Sequence, residues 1–243
     1  MDEARIKSYY ERHPQGVPAV PGKPDICEMH DLFASSVSRL RPGRLLDVGC
    51  GKGFLGQRLS CLCGSYYGID ISSTALAIAR GKVPGGVFHR GSICSLPYAD
   101  CYFDCVVCAE VLEHVPDYNL AIAELARVTR PGGSVLISTP NTLNPDMIWS
   151  FLVYGRYTRQ VYERPIPHRR LAQAFAREGL HVAESFSFHH RPPCGRAMPA
   201  ALYNWLMNIQ QRTSQLLRIP LGLYLFFSLT KGRPGQDRDG RTR

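Results

Sequence analysis

Residues 45–53 read Leu-Leu-Asp-Val-Gly-Cys-Gly-Lys-Gly: an apolar run, an acid, then three glycines at alternate positions. A second apolar run, Tyr66-Tyr67-Gly68-Ile69, ends in Asp70, nineteen residues past Gly51. Strand, glycine turn, helix, then strand ending in an acid is the layout of a nucleoside-binding βαβ unit. The glycines let the backbone turn tightly and approach a ligand. Asp70 falls where a carboxylate takes the two hydroxyls of a ribose. Asp47 narrows the ligand further. A carboxylate beside the turn repels a pyrophosphate, which disfavours NAD and FAD, and attracts a molecule carrying an ammonium and a sulfonium. S-adenosylmethionine is such a molecule.

The rest of the chain continues the alternation of strands and helices. Apolar runs bounded by turn residues predict strands at 44–48, 65–70, 86–90, 103–109 and 134–139. Helical spacing covers 27–40, 54 to about 62, 73–80 with Ser72-Ser73 as cap, 116–130 and 168–179. Further strands are expected at 181–189 and 223–230, with an inserted helix at 197–218. This order predicts an α/β, Rossmann-like, doubly wound parallel sheet with helices on both faces. The expected organisation is an N-terminal arm and helix over 1–43, the main domain over 44–230, and a basic, disordered tail over 231–243. Segments 141–170 and 190–222 are expected as insertions on the acceptor side.

Composition excludes more than it selects. With 243 residues, 44% hydrophobic and 20% charged, the chain suits one α/β domain with a sizeable core. The net charge of +9 is concentrated in the segment Arg156–Arg170 and the tail Lys231–Arg243. Such an excess fits nucleic acid, an anionic membrane surface, an acidic substrate or a solvated face. Cys105-Val-Val-Cys108 has the spacing of a metal or redox pair, but residues i and i+3 of a strand face opposite sides. Free thiols of a cytoplasmic protein are therefore expected. The charged opening Met1–Tyr10 does not read as a signal peptide, and no run of 18 apolar residues predicts a spanning helix.

Five motifs in fixed order resemble the class I S-adenosylmethionine-dependent methyltransferases, and most closely the subgroup of ubiquinone-biosynthesis O-methyltransferases. They are Leu45–Gly53; Gly68-Ile69-Asp70; Leu96-Pro97-Tyr98 with Phe103–Val107; Glu110-Val111-Leu112-Glu113-His114-Val115-Pro116-Asp117; and Arg130-Pro131-Gly132-Gly133 with Ser138-Thr139-Pro140-Asn141. The resemblance implies a seven-stranded sheet with an antiparallel last strand. It also implies roles. Asp47, Gly49, Cys50 and Gly51 hold the methionine moiety. Asp70 binds ribose and Ile71 packs on adenine. Ser92 and Ile93 sit at the adenine edge, where many relatives carry an acid at the first position. Ala109 and Glu110 close the methionine end.

The catalytic apparatus is expected in Glu110, Glu113 and His114, placed at i, i+3 and i+4 as one helical turn would present them. Two readings stay open. The trio forms a divalent-metal site, leaning to Mg²⁺, or the acids make hydrogen bonds while His114 lines the pocket and serves as base. His168 is a further candidate base or ligand. The aromatic stretch Met147–Tyr157 points to a hydrophobic or lipid-linked acceptor and to peripheral membrane contact. The implied activity is O-directed methyl transfer to a quinone-like, lipid-linked or saccharide acceptor. RNA, favoured by the charge, and a non-catalytic cofactor-binding partner protein are the alternatives.

Overall fold

The computed structural model describes residues 8–9, 24–144, 148, 164–188, 205, 209, 212, 222 and 224–233. Apart from Trp205, Ile209 and Arg212, the expected helix at 197–218 lies outside these residues, as do nearly all of the aromatic stretch 147–157 and most of the basic tail.

The elements in order are α1 (Pro24–Leu40), β1 (Arg44–Val48), α2 (Gly56–Leu59), β2 (Ser65–Asp70), α3 (Ser73–Lys82), β3 (Val87–Arg90) and β4 (Phe103–Ala109). They continue with α4 (Tyr118–Val128), β5 (Thr129–Pro140), α5 (His168–Arg177), β6 (Leu180–Phe188) and β7 (Tyr224–Lys231). The seven strands form one sheet in the order β3-β2-β1-β4-β5-β7-β6. Strands β1 to β5 are parallel, and β7 runs antiparallel to both β5 and β6. This is the doubly wound sheet that the alternation predicts, with β7 as its antiparallel member.

Alternation along each strand divides the core between the two faces. One face gathers Leu46, Val48, Ile69, Val106 and Cys108 under α4 and α5, with Ile122, Leu125 and Phe175. The other gathers Leu45, Tyr66, Cys105, Val107 and Phe226 under α1, α2 and α3, with Phe33, Val37, Leu59 and Leu76. Cys105 and Cys108 thus fall on opposite faces, and all the described cysteines are free thiols.

Most elements end within three residues of their sequence-based bounds, and two differ in character. The helix expected from 54 to about 62 is only α2 plus a 3-10 turn over Ser60–Leu62. The strand expected at 134–139 starts at Thr129. Its pairing with β4 jumps from Phe103↔Thr129 to Cys105↔Ser134, so Arg130–Gly133 form a bulge rather than a free turn. Gly132, at φ +74°, and Gly133, whose missing side chain leaves room for the Arg130 and Asp104 carbonyls, permit it. Among the described residues no helix is long and apolar enough to cross a membrane.

Candidate active site

Strand order reverses between β1 and β4, and the crevice outside the carboxyl ends of those strands is where open α/β sheets bind ligands. The chain places its glycine turn there. The amides of Gly49 and Cys50 both donate to the Ile69 carbonyl, at 2.8 and 3.1 Å, which hangs the turn on β2. Gly49, at φ +71°, faces Val111 so closely that a Cβ would overlap its side chain. Gly51, at φ +51°, has open space where a Cβ would project. That combination, a left-handed turn packed on one side and clear on the other, is a cradle for a ligand.

Asp70 joins the cradle directly. Its Oδ2 accepts from the Gly51 amide at 2.9 Å and its Oδ1 from the Ser72 amide at 2.8 Å. The two amides fix the orientation of the carboxylate beside the turn. The next residue, Ile71, is half-buried, and its carbonyl accepts from Arg90 Nε at 3.2 Å. After β3, Ile93 is buried and the Ser92 hydroxyl accepts from the Cys94 amide at 3.1 Å.

The loop after β3 is clamped by residues the sequence motifs do not single out. Arg127 of α4 donates to the Leu96 and Tyr98 carbonyls at 2.9 and 2.7 Å, and to Asp100 at 2.7 Å. Glu124 receives Arg127 and also accepts from the Leu96 amide at 2.7 Å.

Asp47 is only 2% exposed and accepts from the Tyr66 hydroxyl at 2.7 Å. Burial pushes its carboxyl up to about 7; Tyr66 pulls it down and Asp70 pushes it up. The Cys50 thiol is buried and raised far above its ordinary range by burial and the nearby acids. Asp47 is therefore a buried carboxyl next to the glycine turn, bonded to Tyr66.

At the end of β4, half-buried Ala109 is followed by Glu110, a non-glycine residue at φ +55°. Such strain persists where surrounding contacts over-determine it, and it clusters at functional sites. Here Ser138 of β5 supplies them. Its hydroxyl donates to Glu110 Oε1 at 2.7 Å, and the Glu110 amide donates to its carbonyl at 3.1 Å. The thioether of Met29, on α1, lies 3.5 Å from the same hydroxyl.

The expected single helical face for Glu110, Glu113 and His114 does not form. Only Leu112–His114 are helical, as one 3-10 turn. Glu113 is buried and accepts from the Thr139 hydroxyl at 3.2 Å. Ser138 and Thr139 are neighbours on one strand, so their side chains leave opposite faces. The two carboxylates therefore meet β5 from opposite sides and cannot share an ion. Among the described residues no three His, Cys, Asp or Glu side chains gather as a metal site. The Mg²⁺ reading does not fit this donor set.

His114 keeps a side chain 16% exposed, with Nε2 3.8 Å from Glu113 Oε1, beyond hydrogen-bond reach. The His168 ring centroid lies 5.4 Å from that of Phe227, and burial lowers its pKa. The structure brings it to a packing contact on β7.

A family model described as a methyltransferase domain matches residues 46–137. The chain is 32% identical over 167 residues to the ubiquinone biosynthesis O-methyltransferase of Aromatoleum aromaticum, covering 61% of this chain and 68% of that one. It is 38% identical over 129 residues to that of Hahella chejuensis, covering 51% and 54%. The matches thus span from about half to about two thirds of these relatives' length. Among solved structures, an S-adenosylmethionine-dependent methyltransferase from Mesorhizobium loti aligns with TM-score 0.57 and 18% identity over 83% of this chain and 100% of that one. The cyclase SpnF aligns with TM-score 0.58 and 20% identity over 84% and 80%. These two likenesses show the fold alone, and the cyclase shows that the fold serves more than one chemistry. Fold and switch-point cradle define a Rossmann-like nucleoside-binding domain. The sequence relatives take the assignment further: the chain belongs to the class I S-adenosylmethionine-dependent methyltransferases, in the subgroup of the ubiquinone biosynthesis O-methyltransferases.

Proposed function

We propose that this enzyme methylates an oxygen of a small-molecule acceptor that is quinone-like, lipid-linked or a saccharide. The observation that carries the cofactor half is Asp70, whose carboxylate is aimed by the amides of Gly51 and Ser72. Asp47, Gly49, Cys50 and Gly51 hold the methionine portion, Ile71, Ser92 and Ile93 the adenine, and Ala109 and Glu110 close the methionine end. The oxygen-directed half rests on the O-methyltransferase relatives.

When bound, S-adenosylmethionine supplies an activated methyl on a good leaving group. The protein's main task is then alignment, which is worth up to ~7–11 kcal/mol. An acceptor hydroxyl also needs its proton removed, and we assign this to His114. Buried Glu113 beside it favours the imidazolium that forms. Neither the carboxylate pair nor His168 enters as a metal ligand.

Exposed Arg164, Arg169 and Arg170 are the observation that favours RNA as acceptor. One experiment separates the readings: methyl-labelled S-adenosylmethionine is incubated with quinols, lipid-linked phenols, saccharides and RNA, and products are located by mass spectrometry. Label on a small-molecule oxygen is the expected result. Label confined to RNA would replace this reading. Bound cofactor with no label in any acceptor would mark a non-catalytic partner.

A further inference from the structure

Tyr66 belongs to none of the five motifs, yet its hydroxyl bonds the Asp47 carboxylate directly. The register that pairs Asp47 with Gly68 also sets Tyr66 on Asp47's face of the sheet, since residues 66 and 68 point the same way. Gly68 adds no side chain there, and a Cβ on it would press into Phe88 and the Cys50 sulfur. The Tyr66 phenol donates to Asp47 Oδ2 at 2.7 Å. Its hydroxyl is admitted by Gly56, the first residue of α2, where any Cβ would overlap it. Tyr66 and Asp47 are both nearly inaccessible, at 4% and 2%. A buried carboxylate is costly to ionise unless a donor meets it. Three titratable groups flank this one, Tyr66 and Asp70 from β2 and Cys50 from the turn, and Cys108 of β4 acts on it from the opposite face of the sheet. Of these, Tyr66 alone acts to favour the ionised form of Asp47.

We propose that Tyr66 is a positioning residue that holds Asp47 ready to ionise beneath the glycine turn, so that binding of the cationic cofactor is coupled to release of the Asp47 proton to solvent. This rests on the reading that Asp47 faces the methionine portion of S-adenosylmethionine. The positive methionine end favours the carboxylate, and the carboxylate favours the bound cation. The coupling is reciprocal. Affinity is then highest where Asp47 is already ionised and falls as pH drops. The low exposure of Asp47, set beside the raised carboxyl described above, puts this transition near neutrality.

The test is calorimetric titration of the full chain with S-adenosylmethionine between pH 5.5 and 8.5, in pairs of buffers with different ionisation enthalpies. The expected wild-type result is net proton release at pH 6.5, and an affinity that weakens up to about tenfold per pH unit below the midpoint. Asp47→Asn removes both effects, which assigns them to this carboxyl rather than to the ligand's own amine. Tyr66→Phe moves the midpoint upward, because the donor that favours the ionised form is gone. A role confined to packing would weaken binding at every pH and leave the midpoint in place. A wild-type affinity independent of pH, with no proton released, would overturn the proposal whether or not Tyr66→Phe folds. So would an unmoved midpoint in a folded Tyr66→Phe. Absence of cofactor binding at every pH would instead overturn the reading of the site, and the proposal with it.

Discussion

Glu110 shows what one residue can reveal that a motif does not. Its φ of +55° is unfavourable for a side chain with a Cβ, by about 1–2 kcal/mol, and two bonds to Ser138 hold it there. Glu110→Gly relieves the strain while losing the carboxylate. Its stability in denaturant is expected to stay within about 1 kcal/mol of wild type. Its methyl-transfer rate is expected to fall tenfold or more. Asp47 gives a second residue-scale outcome. Its folded carboxyl is raised to about 7 from an ordinary 3.8, so the native state keeps a proton that the unfolded chain loses. That contribution is full below about pH 4 and is lost as pH rises towards 7, by on the order of 4 kcal/mol. Thermal melts of the cofactor-free protein at pH 4.5 and 7 should show this loss, and Asp47→Asn should lack it. The placement of Asp47 and Asp70 beside the glycine turn was legible in the sequence, because both acids stand at or next to the ends of apolar runs that the glycines interrupt. The partners Tyr66 and Ser138 were not. A hydrogen bond across strands depends on register, which single-strand periodicity does not give.

At the scale of elements, the connection from β3 to β4 has no helix of its own, yet it carries Ser92 and Ile93, the residues proposed to meet adenine. Its order comes from α4, through Arg127 and Glu124. Arg127→Leu removes charge-assisted bonds to Glu124 and Asp100 together with two to carbonyls. A stability loss of about 2 kcal/mol in urea is expected. A cofactor affinity reduced by more than any change in kcat would place the damage on the adenine side. The sequence could not announce the clamp, since a Glu-x-x-Arg on an amphipathic helix reads as a solvated i,i+3 pair. The same ambiguity affected Glu110, Glu113 and His114. Their spacing fits one α-helical turn, but β4 ends in a left-handed residue and only a 3-10 turn follows. Strand spans fared better: β2 and β4 match their expected bounds, because long apolar runs between turn residues leave little freedom. The start of β5 did not, because Pro-Gly-Gly serves a bulge as well as a turn.

At the scale of the molecule, the sheet order brings five strand ends into one crevice, and this much followed from alternation and the glycine turn. The acceptor did not, because its chemistry lies beyond β5, where the motifs stop. The split of the two carboxylates across β5 has a whole-enzyme consequence. Methyl transfer should proceed unchanged in EDTA, whereas activity abolished by chelator and restored by Mg²⁺ would contradict the arrangement described. Asn141, buried at the end of β5, ties this strand to the chain entering β7 by donating to the Gly222 carbonyl at 2.7 Å. The central claim is that the β1 turn and Asp70 together hold S-adenosylmethionine. The direct measurement is calorimetric binding of S-adenosylmethionine to the wild-type chain and to Asp70→Ala. The account predicts saturable one-site binding that Asp70→Ala weakens about tenfold or more, the loss of a charge-assisted hydrogen-bond set. Equal affinity in the two proteins, or no binding to the wild type, would contradict it.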